Sequence, residues 1–226
     1  MRLGLLGGSF NPIHHCHLSI AQSARRLLQL DRILFIPTGD PPHKQPGTLA
    51  SAQHRYHMVQ LAIQDERAFA LTDIELRRSG KSYSIDTVRA LQEEYGPNTA
   101  LFFIIGLDAF LDLPSWKDAT HLLALCHFVV ISRPTTTFLS VAALPLFPEI
   151  PKDELLALDA GQVERADVPL RNGRTVTFLR LPPCESSASD IRARVANGRP
   201  LANLLPPLVE SYILREGLYR EDSERF

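Results

Sequence analysis

The sequence predicts an α/β fold of the Rossmann-like, doubly wound type, with a mainly parallel sheet and helices on both faces. Three observations support this prediction. Strand-like and helical patterns alternate along the chain, the predicted strands are continuously apolar, and Gly or Pro residues bound them. Continuous apolar strands are typical of parallel sheets that are covered on both faces. Such sheets bind ligands at the carboxyl ends of their strands.

The predicted elements follow in order from the amino terminus. A strand over residues 2–6 precedes a helix whose apolar side chains recur at helical spacing as far as Leu28. Residues 135–174 show only a weak pattern, and residues 186–216 are the predicted helical carboxyl-terminal part. We expect the whole chain, residues 1–226, to form a single domain. The elements between these parts are a strand at Ile33–Pro37, a helix near Gln53–Gln64, a strand at Ala68–Ile74, a helix near Ile85–Tyr95, and strands at Ala100–Ile105 and His127–Ser132.

Composition excludes several classes of protein. The chain has 226 residues, of which 45% are hydrophobic and 22% charged, and it is long enough to bury a sizeable core. Its formal net charge of -1 gives no overall attraction to a nucleic acid polymer or to an anionic membrane. We find no basic-then-apolar leader and no apolar run of transmembrane length, so we expect a cytoplasmic protein.

The cysteines point in the same direction. Cys16, Cys126 and Cys184 are odd in number, far apart and without a CxxC spacing. This usage argues against a disulfide framework and against structural zinc, and it fits a reducing cytoplasm best. A metal site made from residues 14–17 is conceivable. However, consecutive residues of a helix point around its axis, whereas zinc ligands are spaced apart.

The most informative motif is GGSFNPIHHCHL at residues 7–18, between the first strand and the first helix. Gly7 and Gly8 permit tight backbone geometry, and the helix N-terminus adds free N–H donors and the positive end of its dipole. His14 and His17, three residues apart, share one helix face. The motif therefore predicts a phosphate-binding site. Its spacing matches neither a P-loop, nor a dinucleotide fingerprint, nor a zinc hydrolase motif.

This stretch resembles the GG[ST]F[DN]PxHxGH signature of the nucleotidyltransferases with an HxGH motif. Later segments resemble the bacterial nicotinate-nucleotide adenylyltransferase branch of that family, and they occur in its order. This chain departs from the family pattern at two places. Residue 16 is Cys where the family has glycine, and residues 187–189 are Ser-Ala-Ser where the family has Ser-Ser-Thr, so that the last hydroxyl is kept. The matching segments are PPHK (41–44), RYHM (55–58), SYSIDTV (82–88), FIIGLDAF (103–110), LPSW (113–116), ISRP (131–134) and SSASDIR (186–192).

The resemblance implies adenylyl transfer from ATP to nicotinate mononucleotide, which gives deamido-NAD and pyrophosphate, with magnesium bridging the ATP phosphates. A phosphate monoester is largely a dianion at neutral pH, so the attack needs no general base, and positioning and electrostatics supply most of the acceleration. The implied catalytic residues are His14, His17 and Arg192. The implied ATP-binding residues are Gly7, Gly8, Ser9, Phe10, His14, His17, Gly106, Asp108, Ser187, Ser189 and Arg192.

The resemblance also implies a mononucleotide site. Lys44 would contact the mononucleotide phosphate, Trp116 would stack on the pyridine ring, and the backbone around Thr87 would receive the nicotinate carboxylate. Arg133 is also expected to face the site. From the local sequence alone, other roles remain open: a helix cap for Ser189 or Asp108, a solvated loop residue for Lys44, and core packing for Trp116. Arg55 is expected to be structural.

Two alternative functions remain open at this point. One is a related adenylyl or cytidylyl transferase with another phosphorylated acceptor. The other, suggested only by Cys16, is a nucleotide-binding protein with impaired chemistry. Because Cys16 lies at the start of a helix, we expect it to have a helical φ and to be a tolerated substitute for glycine.

Overall fold

A computed structural model of the chain describes residues 1–41, 49–147, 150–184 and 186–220. Within these ranges seven strands form one sheet, which confirms the predicted α/β architecture. The strands are β1 Arg2–Gly8, β2 Arg32–Pro37, β3 Phe69–Leu71, β4 Ala100–Gly106, β5 His127–Ile131, β6 Arg165–Pro169 and β7 Thr175–Leu179. Their order in the sheet is β3, β2, β1, β4, β5, β7 and β6, and every neighbouring pair is parallel except β6 and β7.

Helices cover both faces of this sheet. Side chains alternate along each strand, so that Leu3 and Leu5 of β1 enter one core whereas Leu6 enters the other. The helices are α1 His15–Leu28, α2 Ala52–Ile63, α3 Ser84–Tyr95, α4 Leu107–Leu111, α5 Ala119–Leu125, α6 Lys152–Asp159, α7 Ala188–Ala196 and α8 Pro207–Arg215. The first core is closed mainly by α3, α5 and α6, and the second by α1, α2, α7 and α8.

The predicted elements up to residue 132 are present, with one clear difference in length. Strand β3 has three residues, whereas the sequence pattern suggested a strand over residues 68–74. The weakly patterned segment, residues 135–174, contains a short 3₁₀ helix at Phe138–Ala143, helix α6 and strand β6. β6 is an edge strand, and only alternate residues of it are buried. The segment is therefore built from short elements.

The topology fixes where a ligand site forms. Strand β1 has β2 on one side and β4 on the other, so the direction of the sheet order reverses between β1 and β4. Crevices of doubly wound folds open at the carboxyl ends of the strands beside such a switch point. Here β1 ends at Gly8, β4 at Gly106 and β5 at Ile131, immediately before the motif residues. Among the described residues, no helix is long and apolar enough to cross a membrane.

Candidate active site

The β1–α1 junction turns at Phe10 rather than at its glycines. Phe10 is buried and has a left-handed φ of 43°, whereas Gly7 and Gly8 lie in β1 without a positive φ. The tight backbone geometry expected at Gly7 and Gly8 therefore does not come from a left-handed φ, and it depends on the space beside each glycine. A Cβ added to Gly8 would lie 3.2 Å from the Phe10 ring, and one added to Gly7 would meet no protein atom within 4 Å. The space beside Gly7 is therefore open at the mouth of the crevice.

The two histidines lie side by side, as their spacing predicted. His14 caps α1, and the ring centroids of His14 and His17 are 3.8 Å apart. The backbone N–H of His14 donates to Nδ1 of His17 over 3.2 Å. A neutral imidazole that accepts at Nδ1 carries its proton on Nε2. This contact therefore leaves His17 with one N–H donor, on the side of the ring away from the His14 backbone.

Burial keeps both imidazoles uncharged at neutral pH. Desolvation, with smaller contributions from the positive charges of Arg133 and His15, lowers the pKa of His14 to about 4. Desolvation, His14 and Arg133 likewise lower the pKa of His17 well below its ordinary value. The Nδ1 atom of His14 is buried and has no hydrogen-bond partner among the described residues. The pair therefore offers neutral polar groups, of which His14 is buried and His17 is half-buried.

The carboxyl ends of β4 and β5 bring Gly106, Asp108 and Arg133 together. Nε of Arg133 lies 3.3 Å from Oδ1 of Asp108, and both side chains remain substantially exposed. A Cβ built on Gly106 would come within 2.5 Å of Arg133 Nε and of Asp108 Oδ1. Glycine is therefore needed at residue 106 for the ion pair to cross in front of it. Arg133, predicted on the mononucleotide side, instead lies beside the residues predicted for the ATP ribose.

The start of α7 adds a second arginine to the site. Ser187 is the N-cap, and its Oγ accepts from the backbone N–H of Asp190 over 3.1 Å. The cap is therefore Ser187, whereas the alternative reading of the sequence gave that role to Ser189. Nη1 of Arg192 donates to the backbone carbonyl of Asn11 over 2.8 Å, which brings this turn to the β1–α1 junction. Nη2 of Arg192 lies 3.5 Å from Oγ of Ser189.

Two buried polar residues, Asn11 and Arg55, form hydrogen bonds that connect the loops around the β1–α1 junction. Asn11 is buried, and its Oδ1 accepts from the Ala50 backbone N–H at 3.0 Å and from the Tyr219 hydroxyl at 2.8 Å. Arg55 is only 2% exposed and donates to the carbonyls of Ser9 at 2.9 Å and Ala50 at 3.0 Å. The structural role predicted for Arg55 is thus confirmed. Asn11 was missed, although a polar residue beside Pro12 in the motif was a signal for it.

A cavity of about 190 Å³, here called the tryptophan cavity, opens at the N-terminus of α3. One wall is Trp116, whose other side packs edge-on against Phe103 at 6.2 Å between centroids. Core packing and an exposed stacking surface therefore coexist in this side chain. The cavity is also lined by Thr38, Ser82, Tyr83, Ser84, Ser115 and Lys117.

Thr87 itself does not face this cavity. Its side chain is buried, its hydroxyl donates to Oε1 of Glu75 at 2.8 Å, and its backbone N–H donates to the carbonyl of Tyr83. If the backbone around Thr87 receives a ligand, the N–H of Thr87 itself does not contribute, because α3 has already begun three residues earlier. The N–H groups of Ser84 and Ile85 are the ones that an α-helix leaves without an intrahelical acceptor.

Lys117 is a cation of the tryptophan cavity that sequence reasoning missed. Its Nζ lies 2.9 Å from Oδ2 of Asp86 and 4.6 Å from the centroid of the Tyr83 ring. Its position directly after Trp116 was the available signal. Lys44, predicted as a phosphate contact, lies outside the described residues. Within the described ranges, no group of three or more His, Cys, Asp or Glu side chains is arranged to hold a metal ion.

A second cavity, of about 370 Å³, lies between α1 and the segment after β7. Its lining includes Cys16 and Cys184, which are joined by a disulfide, so we call it the disulfide cavity. The bond corrects the expectation that the cysteines are unpaired. They are 168 residues apart in sequence, but β1 and β7 deliver their following segments to the same end of the sheet. Other lining residues are Ile20, Ile131, Arg133 and Leu181.

Comparison with solved structures shows the same fold elsewhere. The Plasmodium falciparum nicotinic acid mononucleotide adenylyltransferase, in a complex with NaAD, superimposes with a TM-score of 0.70 at 20% sequence identity. That match covers 96% of this chain and 97% of the other. At this level of identity the likeness concerns the fold alone.

Sequence comparison reaches further. The cytidylyltransferase-like family model matches residues 5–194. A probable nicotinate-nucleotide adenylyltransferase of Geobacter sulfurreducens is 42% identical over 228 residues, covering 98% of this chain and all of the relative. A probable nicotinate-nucleotide adenylyltransferase of Moorella thermoacetica is 36% identical over 219 residues, covering 97% and 92%. The chain therefore belongs to the nicotinate-nucleotide adenylyltransferases of the cytidylyltransferase-like family.

Proposed function

We propose that this protein transfers the adenylyl group of ATP to nicotinate mononucleotide. A phosphate oxygen of the mononucleotide attacks the α-phosphorus of ATP, the bond from that phosphorus to the bridging oxygen breaks, and pyrophosphate leaves. Because the attacking phosphate is mostly a dianion at neutral pH, no side chain has to remove a proton. Mg²⁺ is commonly held by substrate phosphates with few protein ligands, so magnesium is part of the ATP substrate and shields its charge.

The observation that carries this proposal is the contact between the His14 backbone N–H and Nδ1 of His17. It fixes the tautomer in which Nε2 of His17 is a donor. A preoriented neutral donor stabilises charge that develops on the leaving phosphate without having to reorient during the reaction. We therefore assign His14 and His17 to stabilising the transition state, and Arg192 to binding the charged phosphates.

The disulfide cavity fits the adenosine part of ATP. It combines apolar walls at Ile20, Ile131 and Leu181 with the guanidinium of Arg133. A cavity of about 370 Å³ is within the range of small-ligand sites. Asp108, exposed beside Gly106, presents a carboxylate to which two ribose hydroxyls can donate.

The tryptophan cavity fits the pyridine ring of the acceptor. Its dimensions suit one aromatic ring, Trp116 offers a stacking face, and the first turn of α3 offers N–H donors at Ser84 and Ile85. A carboxylate at this helix N-terminus gains charge-assisted hydrogen bonds and lies near the Lys117 ammonium. An amide presents its own donors there. The acid acceptor should therefore be preferred over the amide.

A donor and acceptor panel tests this function. ATP or CTP is combined with nicotinate mononucleotide, nicotinamide mononucleotide or another sugar phosphate, and both pyrophosphate and the dinucleotide product are quantified. We expect ATP with nicotinate mononucleotide to be used best, with a kcat/KM at least about tenfold above that for the amide, as charged hydrogen bonds allow. Equal kcat/KM for acid and amide, or a preference for CTP, would contradict the proposal.

Lys117 permits a sharper version of the same assay. Replacing it by methionine removes the charge but keeps an apolar stem, so the acid-over-amide ratio should fall about fivefold, within the effect of one charged contact. Lys81→Met is the matched control, since Lys81 pairs with Asp40 over 2.8 Å and does not line the cavity. An unchanged ratio in Lys117→Met would remove this lysine from acceptor selection.

A further inference from the structure

Cys16 and Cys184 join the two segments that surround the phosphate site. Cys16 is the second residue of α1, within the histidine motif, and is only 4% exposed. Cys184 is exposed and lies three residues before Ser187, the N-cap of α7. Their Cα atoms are 5.7 Å apart, a separation that natural disulfides adopt without backbone movement. A bond here therefore links His17 and Arg192 through short stretches of chain.

We propose that Cys16 and Cys184 are a reversible thiol–disulfide pair that controls ATP binding in the disulfide cavity, with the oxidised form binding ATP more weakly. The effect on ATP rests on the proposed function, in which this cavity receives adenosine. Both cysteines line the cavity, and Cys16 stands where the family signature has glycine. The bond holds residues 181–184 against α1, and two thiols require more room than one disulfide. Reduction therefore lets the exposed segment move outward and the cavity widen.

Cys16 and Cys184 differ in exposure, and this difference favours thiol–disulfide exchange at Cys184. An external thiolate reaches the exposed Cys184 more readily than the buried Cys16. It attacks the Cys184 sulfur, the electron pair of the S–S bond leaves on Cys16, and a mixed disulfide forms at Cys184. The N-terminus of α1 stabilises the departing Cys16 thiolate. A second thiolate of the same reductant then releases the Cys184 thiolate and becomes a disulfide itself. A low-molecular-weight disulfide reverses both steps.

Cys126 provides an internal reference. It lies in the core, and burial raises the pKa of its thiol to about 12. A thiol that is buried and protonated does not react with alkylating reagents or disulfides under native conditions. It becomes accessible only after denaturation, so any change in thiol count between oxidised and reduced protein belongs to the other two cysteines.

The test compares protein equilibrated with oxidised glutathione and protein equilibrated with dithiothreitol. After rapid alkylation in denaturant, intact mass should show one modified cysteine in the oxidised sample and three in the reduced sample. The oxidised sample should have the higher Tm, because a disulfide constrains the unfolded chain. The equilibrium Kd for a non-hydrolysable ATP analogue should be about fivefold higher in the oxidised sample, the lower end of typical couplings between sites.

Two variants keep the test specific. Cys184→Ser and Cys16→Gly should each abolish the differences in Tm and in analogue Kd between the two treatments, whereas Cys126→Ser should retain both. Three alkylated cysteines after oxidation would overturn the proposal, and so would a disulfide that leaves the analogue Kd unchanged. Because the binding assay contains no acceptor, a redox-dependent Kd in a protein that transfers no adenylyl group would support the pair while contradicting the proposed function.

Discussion

The phosphate site has two sides, which differ in the charge and in the hydration of their polar side chains. On the histidine side, His14 and His17 at the start of α1 are desolvated, and their pKa values are lowered. On the arginine side, Arg133 and Arg192 keep partial contact with solvent, and Arg133 pairs with an exposed carboxylate. The same fold therefore desolvates the two neutral imidazoles, whereas the permanent charges of the arginines keep contact with water.

This difference assigns separate tasks to the two sides. A charge buried in the protein interior is costly unless it is paired, whereas a neutral donor with a fixed tautomer is tolerated there. An arginine at the surface attracts an anion over several ångströms, and solvent screens it. The histidine side should therefore act mainly on the transition state, and the arginine side mainly on ATP affinity.

The largest expected effect comes from His17→Ala. Loss of the oriented Nε2 donor should lower kcat by roughly 10²–10³-fold, the usual effect of removing one such donor, with a much smaller change in the KM for ATP. Steady-state kinetics with both substrates varied measure this. His15→Ala is the matched control, since this exposed neighbour should keep wild-type kcat. If His17→Ala raised the KM for ATP but left kcat unchanged, the division between the two sides would be wrong.

A second effect concerns the pH dependence of stability. The pKa of His14 is about 4 in the folded protein and near 6.5 when unfolded, so its contribution is complete above pH 6.5 and disappears as the pH falls toward 4. The loss is about 3 kcal/mol of unfolding free energy. Urea unfolding at pH 7 and pH 4.5 should show a smaller loss for His14→Gln than for the wild type or His15→Gln. Identical losses in all three proteins would contradict the prediction, because they would indicate that folding does not lower the pKa of His14.

A smaller effect is expected on the arginine side. Arg192→Gln removes both the charge and the bond to the Asn11 carbonyl, and we expect the KM for ATP to rise about tenfold while kcat changes less, since a hydrogen bond to a charged group contributes about 1.5–3 kcal/mol. Arg194→Gln is the control, because Arg194 pairs with Asp190 over 2.7 Å. Arg192→Lys should recover part of the affinity. If kcat fell while the KM for ATP stayed unchanged, Arg192 would act on the transition state, as the histidines do.

Sequence reasoning succeeded where local pattern determines structure. Continuous apolar strands such as β2 and β4 and the spacing of His14 and His17 fixed the sheet, the helix faces and the location of the crevice. It was less exact where the first residue of a helix decides which backbone N–H groups are free. The start of α3 lies at Ser84, so the free donors are there and Thr87 is already within the helix.

Long-range partners were the other failure. Nothing in the local sequence around Cys184 indicates that α1 lies beside it, because this proximity depends on the parallel pairing of β7 with β5. The contact of Arg133 with Asp108 was likewise not foreseen, since it depends on the pairing of β4 with β5.

Asn11 connects parts of the chain that are made at very different times. Its side chain binds the Tyr219 hydroxyl across 208 residues, and its carbonyl binds Arg192 across 181. Contacts of such sequence separation form late, because the intervening chain must first be ordered. During synthesis β1 and α1 leave the ribosome long before Tyr219 does. The nascent chain therefore contains the histidine motif for most of its synthesis without a completed loop around it, and the site is assembled only when the segment that carries Tyr219 has docked.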